Sequence, residues 1–473
     1  MKLLRHLFTL MVLNLLAAGS VFAATDLVVA VTPLRVMTQP HARDIDCPKP
    51  PPRARSGRPA EPDPLEFPDA AEIDALLAAR QTPAVLRPNG AMPLIRRHAD
   101  GPFRVGIWGD SHLAAGFFTD ELIKLSGVER TRARAVFIPA NMNRPGVRLP
   151  LRASCVSPQW RTELAYTKAG SSAQPGPGLV NLYSSEAGAS LAFDVRTRSG
   201  VAETSQVQVL YEATGKPLRV LVSVDDRPGQ ELSLSGAKGP AALELGGDAP
   251  ISVVRVQLLE GQFRFHGLRL SPPEKLALQL DVFGFPGATV AGWQSAPTDY
   301  LTAWFRDTPY DLVVLQYGTN EGNALPFDAE GYRRLLRSAV DGLRAAFPRA
   351  ACLLITPGDR GVLVRRSLKS GHGDFTASRE SGGGAAPSRA SRLLTYSRVH
   401  EQINQIQQDV AAAGGCQTWS TFDAMGGEGS AYEWAREKPA LMAPDLIHFT
   451  VRGYQRLAQD FARSIGWNAR SDK

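Results

Sequence analysis

The chain has 473 residues, a length that fits two or three domains. Its 44% hydrophobic content excludes a disordered composition. With 43 Gly and 35 Pro, 78 of 473 residues break regular helices, against a usual share of roughly 12%, which argues against a bundle, coiled coil or solenoid. The net charge of +7 is spread along the chain without interleaved aromatics, so nucleic acid is not an expected partner.

Lys2, Arg5 and His6 precede an apolar run from Leu7 to Ala18, and Val21-Phe22-Ala23 fits a small-residue cleavage site. This layout predicts a signal peptide over residues 1–23, its apolar run too short to span a bilayer, with an uncleaved N-terminal membrane anchor as the alternative. No Arg-Arg pair precedes the run, which favours Sec export over the twin-Arg route. Loss of Lys2 and Arg5 lowers the net charge from +7 to +5. No later run approaches about 18 apolar residues, so no stable membrane span is expected and the protein should be periplasmic or secreted. A basic exported protein is suited to anionic envelope polymers. Four cysteines, Cys47, Cys155, Cys352 and Cys416, predict two disulfides in an oxidising compartment. Three pairings are open. Cys352–Cys416 is favoured because each opens a predicted strand of one sheet, which leaves Cys47–Cys155. Neither a CxxC pair nor a Cys/His metal cluster is present, so no metal is expected.

Residues 24–100 start with an apolar stretch, Leu27–Leu34, and then read as a Pro-rich N-terminal arm, extended from Cys47 to Pro64. A short helix is expected over Ala71–Arg80, with Ile73, Leu76 and Leu77 on one face. Phe103–Trp108 reads as a strand ending at Gly109-Asp110-Ser111-His112, followed by a helix over Leu113–Leu125. This half of a βαβ unit lacks a parallel partner strand until about Leu276. Between them, alternating runs at 190–195, 205–211, 218–224, 231–234, 252–258 and 263–270 predict an antiparallel sandwich over 186–275, inserted between two parts of an α/β domain, 101–185 and 276–473. The α/β pattern resumes with strands at 276–283, 311–317, 351–355 and 416–422 and helices at 327–347, 393–413 and 451–465. Their alternation predicts a parallel sheet covered on both faces. The loop 358–392 is rich in Gly, Ser and Arg; residues 360–392 hold seven Lys/Arg against Asp374 and Glu380.

Active residues are expected just past the carboxyl ends of such strands. Asp110-Ser111, Gly287 and Asn320 follow predicted strands, and Asp445-Leu-Ile-His448 precedes the last helix. A serine hydroxyl needs a base, and a histidine base needs a carboxylate to fix its tautomer. Ser111 as nucleophile, His448 as base and Asp445 as its orienter meet that need. The N–H groups of Ser111 and Gly287, with the Asn320 side-chain amide, can form an oxyanion hole. Taken singly, Gly-Asp-Ser is an ordinary turn, Asn320 suits a cap, and Asp445 and His448 suit a surface pair. The conjunction of four blocks in order carries the reading. His98, His372 and His400 are expected to be solvated, and His266 to pack in the β module.

Gly109-Asp-Ser-His112, Gly284-Phe-Pro-Gly287-Ala-Thr, Gly318-Thr-Asn320-Glu and Asp445-Leu-Ile-His448-Phe-Thr resemble the four blocks of the SGNH (GDSL-type) hydrolases, over 100–180 and 276–470. The resemblance implies a doubly wound, flavodoxin-like three-layer α/β/α fold, and the same roles for Ser111, His448, Asp445, Gly287 and Asn320. The Leu-Ala-Ala-Gly-Phe-Phe-Thr-Asp-Glu-Leu run after the first block, the Asn143-Arg-Pro region and a carbohydrate-module-like insert resemble exported bacterial peptidoglycan O-acetylesterases. That likeness implies removal of the O6-acetyl group of N-acetylmuramic acid through an acetyl-serine, by a monomer without cofactor, acting on an O-acetylated glycan. The alternatives are an acetylesterase or O-acetyltransferase on another polysaccharide, and a catalytically silent glycan-binding protein.

Overall fold

A computed structural model describes residues 27–47, 65–78, 101–142, 144–165, 174–365 and 392–467. The expected signal peptide, most of the Pro-rich stretch, His98, Asn143, His372 and residues 366–391 of the basic loop lie outside the described residues.

Six parallel strands form one sheet, in the order Gln417–Ser420, Ala351–Thr356, Leu312–Gln316, Phe103–Gly109, Leu278–Gly284, Ala133–Arg134. Both faces are buried, as the unbroken apolar run Leu312-Val-Val-Leu requires. Val313 and Leu315 pack on one side with Leu336, Val340, Ile403 and Val410 of the helices Ala329–Ala346 and Thr395–Ala413. Leu312 and Val314 pack on the other with Phe118, Leu122, Leu457 and Phe461 of the helices Phe117–Leu125 and Val451–Ser464. This is the expected three-layer arrangement.

Two local departures have side-chain causes. The helix expected over Leu113–Leu125 is split into a turn, Ser111–Ala114, and Phe117–Leu125, because Gly116 adopts a φ of +73°. The strand expected to reach Phe422 stops at Ser420, whose hydroxyl accepts from the Asp423 N–H at 3.0 Å and caps the helix Thr421–Met425.

The remaining strands form two largely antiparallel sheets, of seven and five strands. Their apolar faces share one core: Val207, Val209 and Phe265 from the first meet Val220, Val256 and Phe193 from the second, with the rings of Phe193 and Phe265 stacked at 5.5 Å. These sheets draw on more of the chain than residues 186–275. Phe137–Pro139, Ala153–Val156, Arg161–Leu164 and Val180–Ser184 belong to them, and so does Ala30–Val36, which pairs with Gly239–Ile251. The start of the expected arm is therefore a strand, in keeping with its apolar run. Thr38 fastens its end, donating through N–H and hydroxyl to Asp248 Oδ1, each at 2.9 Å.

Trp108 joins the two parts. It is wholly buried against Phe283 (ring centroids 4.7 Å apart) and Trp293 (5.2 Å), and its indole N–H donates to the Pro177 carbonyl at 2.8 Å. Phe137, Leu179, Leu210 and Ala242 of the antiparallel part lie in the same core.

Both disulfides form as expected. Cys352–Cys416 links the starts of neighbouring parallel strands, with Cα atoms 4.7 Å apart, and Cys47–Cys155 ties the N-terminal segment to the strand Ala153–Val156. Two outcomes follow. Trp108→Ala should cost about 3–5 kcal/mol in denaturant unfolding, through the cavity and the unpaired Pro177 carbonyl. Alkylation of the unfolded, unreduced protein should label no cysteine, and the Cys352→Ser/Cys416→Ser pair should lose about 2–4 kcal/mol.

Candidate active site

The parallel strands converge at their carboxyl ends on the four motif blocks. Asp110, past the strand Phe103–Gly109, caps the turn Ser111–Ala114 by accepting from the His112 N–H at 2.9 Å. This fixes Ser111 at the helix start, partly exposed. Its hydroxyl oxygen stands 2.9 Å from His448 Nε2. His448 Nδ1 stands 2.7 Å from Asp445 Oδ2. With the Nδ1 proton directed at that carboxylate, Nε2 is left to accept from the Ser111 hydroxyl.

The spacing of three between Asp445 and His448 is explained by the turn between them. Asp445 Oδ1 accepts from the N–H of Ile447 at 3.0 Å and of His448 at 2.9 Å, while Oδ2 faces the ring. The turn requires Leu446 at a φ of +56°, a conformation costly for leucine. Full burial among Ile73, Tyr432 and Leu393, and the bond from the Gly361 N–H to its carbonyl at 3.1 Å, hold it there. Burial draws the Asp445 carboxyl upward, but the His448 ring and the two backbone N–H groups outweigh it and leave the group below the usual carboxylate range. The His448 and Asp445 side chains are 40% and 47% exposed, so the constellation lies open at the surface.

Gly287 sits at a φ of +82° in the turn after Leu278–Gly284, and Asn320 follows Leu312–Gln316. Asn320 Nδ2 donates to the Ala288 carbonyl at 2.8 Å, which brings these two blocks together. The first and second are joined by the Phe285 N–H donating to the Gly109 carbonyl at 3.0 Å. The structure thus gathers all five motif residues at the carboxyl end of the sheet.

Four side chains that the motif reading left without a role support them. Glu321 is the largest addition: one oxygen accepts from the Val290 N–H at 2.8 Å and the other from the Gly318 N–H at 3.0 Å, stapling both turns. Burial raises its carboxyl to about 7, against the pull of those N–H groups. Asp110, fully buried, is raised to about 6 by burial, against the His112 N–H and the Thr319 hydroxyl. His112 lies beneath His448 with ring centroids 5.4 Å apart and pairs with the Tyr454 hydroxyl at 3.1 Å; burial and the neighbouring His448 lower it to about 3, so it stays neutral. Arg360, in the described start of the basic loop, bonds Asn323 and lies 4.3 Å from the Tyr396 ring centroid. An acidic residue directly after the block asparagine was the one sequence sign of the staple.

His400 corrects its expected solvation. It is 1% exposed, with Nδ1 2.7 Å from the Gly358 carbonyl, because its helix packs this face against the Asn320 turn. A side chain at Gly322 would meet its ring at 2.6 Å. His266 packs as expected, between Asn181 (2.8 Å) and the Tyr300 hydroxyl (2.9 Å). Among the described residues no cluster of three or more His, Cys, Asp or Glu could hold a metal ion, and no helix is long and apolar enough to cross a membrane.

Comparison with known proteins bears on the fold and family. Residues 272–456 match the GDSL-like lipase/acylhydrolase family, a segment that includes Gly287, Asn320, Asp445 and His448 but not Ser111. No curated protein matches the chain. Among solved structures, a peptidoglycan O-acetylesterase superposes with a TM-score of 0.54 at 21% identity, covering 85% of this chain and 96% of its own. Protein YXIM of Bacillus subtilis covers 68% of this chain and 92% of its own at 12% identity and a TM-score of 0.30. An acetyl xylan esterase covers 40% and 81% at 15% identity and a TM-score of 0.25. Residues 272–456 thus match a GDSL-like acylhydrolase domain, an esterase domain, and the fold of the chain resembles that of a peptidoglycan O-acetylesterase.

Proposed function

We propose that this protein is an exported serine esterase that removes O-acetyl groups from a cell-envelope glycan, namely the O6-acetyl group of N-acetylmuramic acid in peptidoglycan. The observation that carries the reading is the continuous chain Ser111 Oγ, His448 Nε2, His448 Nδ1, Asp445 Oδ2, with steps of 2.9 and 2.7 Å. Likeness to a structure named as a peptidoglycan O-acetylesterase supports the substrate, and the basic, disulfide-bearing chain with its N-terminal signal layout supports export to the periplasm or beyond.

In this mechanism Ser111 Oγ attacks the acetyl carbonyl carbon while His448 Nε2 takes its proton. Asp445 holds the imidazolium without being protonated itself. The developing oxyanion is received by the N–H groups of Ser111 and Gly287 and by the Asn320 amide, whose other N–H is engaged by Ala288. Collapse expels the sugar hydroxyl, protonated by His448. Water, activated by the same base, then hydrolyses acetyl-Ser111 to acetate. The antiparallel sheets, as an inserted carbohydrate-module-like sandwich, supply contacts to the sugar.

Glu321 acts through the oxyanion turns as a positioning residue. Its carboxyl rises from 4.5 to about 7 on folding, so between those values the native state holds a proton that the unfolded chain has released. Stability therefore falls as pH rises through that window.

Ser111→Ala should lower turnover of p-nitrophenyl acetate and acetate release from O-acetylated peptidoglycan by at least about 10³-fold, with the melting temperature little changed. Activity surviving in that variant removes the serine mechanism; activity on the small ester with none on the wall polymer removes the substrate. Glu321→Gln should lower kcat on p-nitrophenyl acetate by about 10-fold or more, with a smaller change in KM. It should also flatten the decline of denaturant stability between about pH 4.5 and 7, leaving the share due to Asp110.

A further inference from the structure

Beside the Ser111 turn lies a second concavity of about 660 Å³, within the roughly 300–1,000 Å³ of small-molecule sites. Leu113, Ala114 and Gly284 line the end next to the Ser111 and Gly287 turns. The helix Phe117–Leu125 forms one wall, and the connections at 195–204 and 270–273 from the antiparallel sheets form the other. None of Ser111, Asp445 or His448 lines it.

Its lining carries four guanidinium groups, Arg130, Arg134, Arg148 and Arg198, against two carboxylates, Asp120 and Glu203. Asp120 is shared, 3.5 Å from Arg148 and 3.4 Å from Arg198. Glu203 pairs with Arg134. Among the described residues no carboxylate pairs with Arg130. Burial and the nearby positive charge of Arg130 both hold Arg134 below the usual guanidinium range. The cleft thus concentrates cations that its own acids do not balance. Asn141, 3% exposed, adds a polar group at the inner end: its amide donates to the Gly284 carbonyl at 2.8 Å, while its oxygen has no partner among the described residues.

A guanidinium fork matches a carboxylate through paired N–H donors, and a partly shielded cleft strengthens that attraction. Both walls matter, because the cleft exists only where the antiparallel sheets stand beside the helix that follows Ser111. We propose that this cleft seats a carboxylate-bearing substituent of the acetylated glycan, so that the enzyme acts on acidic strands in preference to neutral ones. The proposal rests on the esterase reading above and assigns its substrate an acidic group beside the ester. Two sources share this chemistry in peptidoglycan: the carboxylate of muramic acid where no peptide is attached, and the peptide's own carboxylates where one is, the sugar carboxyl then being an amide.

The test uses the full mature chain as Ser111→Ala, titrated calorimetrically with three probes. These are the N-acetylglucosaminyl-N-acetylmuramic acid disaccharide with its peptide, the same disaccharide without peptide, and neutral chitotetraose. Arg130→Glu and Arg198→Glu, both at exposed positions, should weaken binding of the acidic probe by about 10-fold or more and leave chitotetraose unchanged. Raising NaCl from about 50 to 500 mM should weaken it likewise. Response confined to the disaccharide without peptide, the only probe whose muramic acid carboxylate is free, assigns the sugar carboxylate. Response confined to the peptide-bearing probe, where that carboxyl is an amide, assigns the peptide; response of both shows that the cleft takes either carboxylate. Chitotetraose binding as tightly as the acidic probes, or charge reversal without effect on either, overturns the proposal. In the Ser111 background, p-nitrophenyl acetate turnover should stay within about two-fold in both arginine variants, since neither residue is in the catalytic constellation. Failure of the unsubstituted protein to hydrolyse that ester removes the esterase reading alone, because the titration still decides whether the cleft selects anions.

Discussion

The site depends first on the parallel pairing of Phe103–Gly109 with Leu278–Gly284, which runs in register from Phe103 opposite Leu278 to Gly109 opposite Gly284. That pairing sets the Ser111 turn beside the Gly287 turn. The approach is close enough that a side chain at Gly284 would stand 2.6 Å from the Ala114 nitrogen, and one at Gly109 would stand 2.6 Å from the Gln316 carbonyl. Everything from Ala135 to Ala277 must leave and return at one edge of the sheet. The return is fastened by Ala133–Arg134 pairing with Leu278 and Gln279, and by the Ala277 N–H donating to the Arg132 carbonyl at 2.8 Å. The entropy of closing a long segment grows only slowly with its length, so a chain of this size can be housed there at modest cost.

Buried carboxylates then act as clamps where backbone leaves regular structure. Asp281, fully buried in the same strand, accepts from the Val136 and Phe137 N–H groups at 2.6 and 3.0 Å and from the Tyr310 hydroxyl at 2.8 Å, tying the parallel sheet to the antiparallel part. Asp110 caps the Ser111 turn, and Glu321 holds the Gly287 and Asn320 turns. Burial raises the carboxyl of all three. Each accepts at least one backbone N–H that would otherwise be left unpaired, which offsets part of the cost of burying the carboxyl.

Much of this was legible in the sequence because it rests on local chemistry. Uninterrupted apolar runs such as Leu312–Leu315 announced two-sided strands, alternation at Leu218–Val224 announced one-sided ones, and the Gly-Asp-Ser and Asp-x-x-His blocks announced residues that the fold brings together as a candidate site. What escaped depends on tertiary neighbours. Ala30–Val36 reads as the start of an arm until Gly239–Ile251 supplies its partner. His400 looks like a surface residue of an amphipathic helix, and only the packing of that helix on the Asn320 turn buries it. Glu321 is one acidic residue among many in the chain until two backbone N–H groups from different turns converge on its oxygens.

The shared core around Trp108 changes how the antiparallel sheets bear on function. Were they a guest held by two linkers, their position relative to Ser111 would be free to vary. Instead Phe137, Leu179, Leu210 and Ala242 pack with Trp108 and Phe283, the residue before Gly284, and His266 of the seven-stranded sheet bonds Tyr300 of the helix Thr298–Phe305. The two parts therefore present a fixed joint surface on both sides of the Ser111 turn. The half-exposed His448 and Asp445 sit on that surface rather than at the foot of a deep pocket. On the proposed function, an ester on a polymer would reach such a site without the strand being threaded, and selection among polymers would fall to the flanking walls that the shared core holds in place.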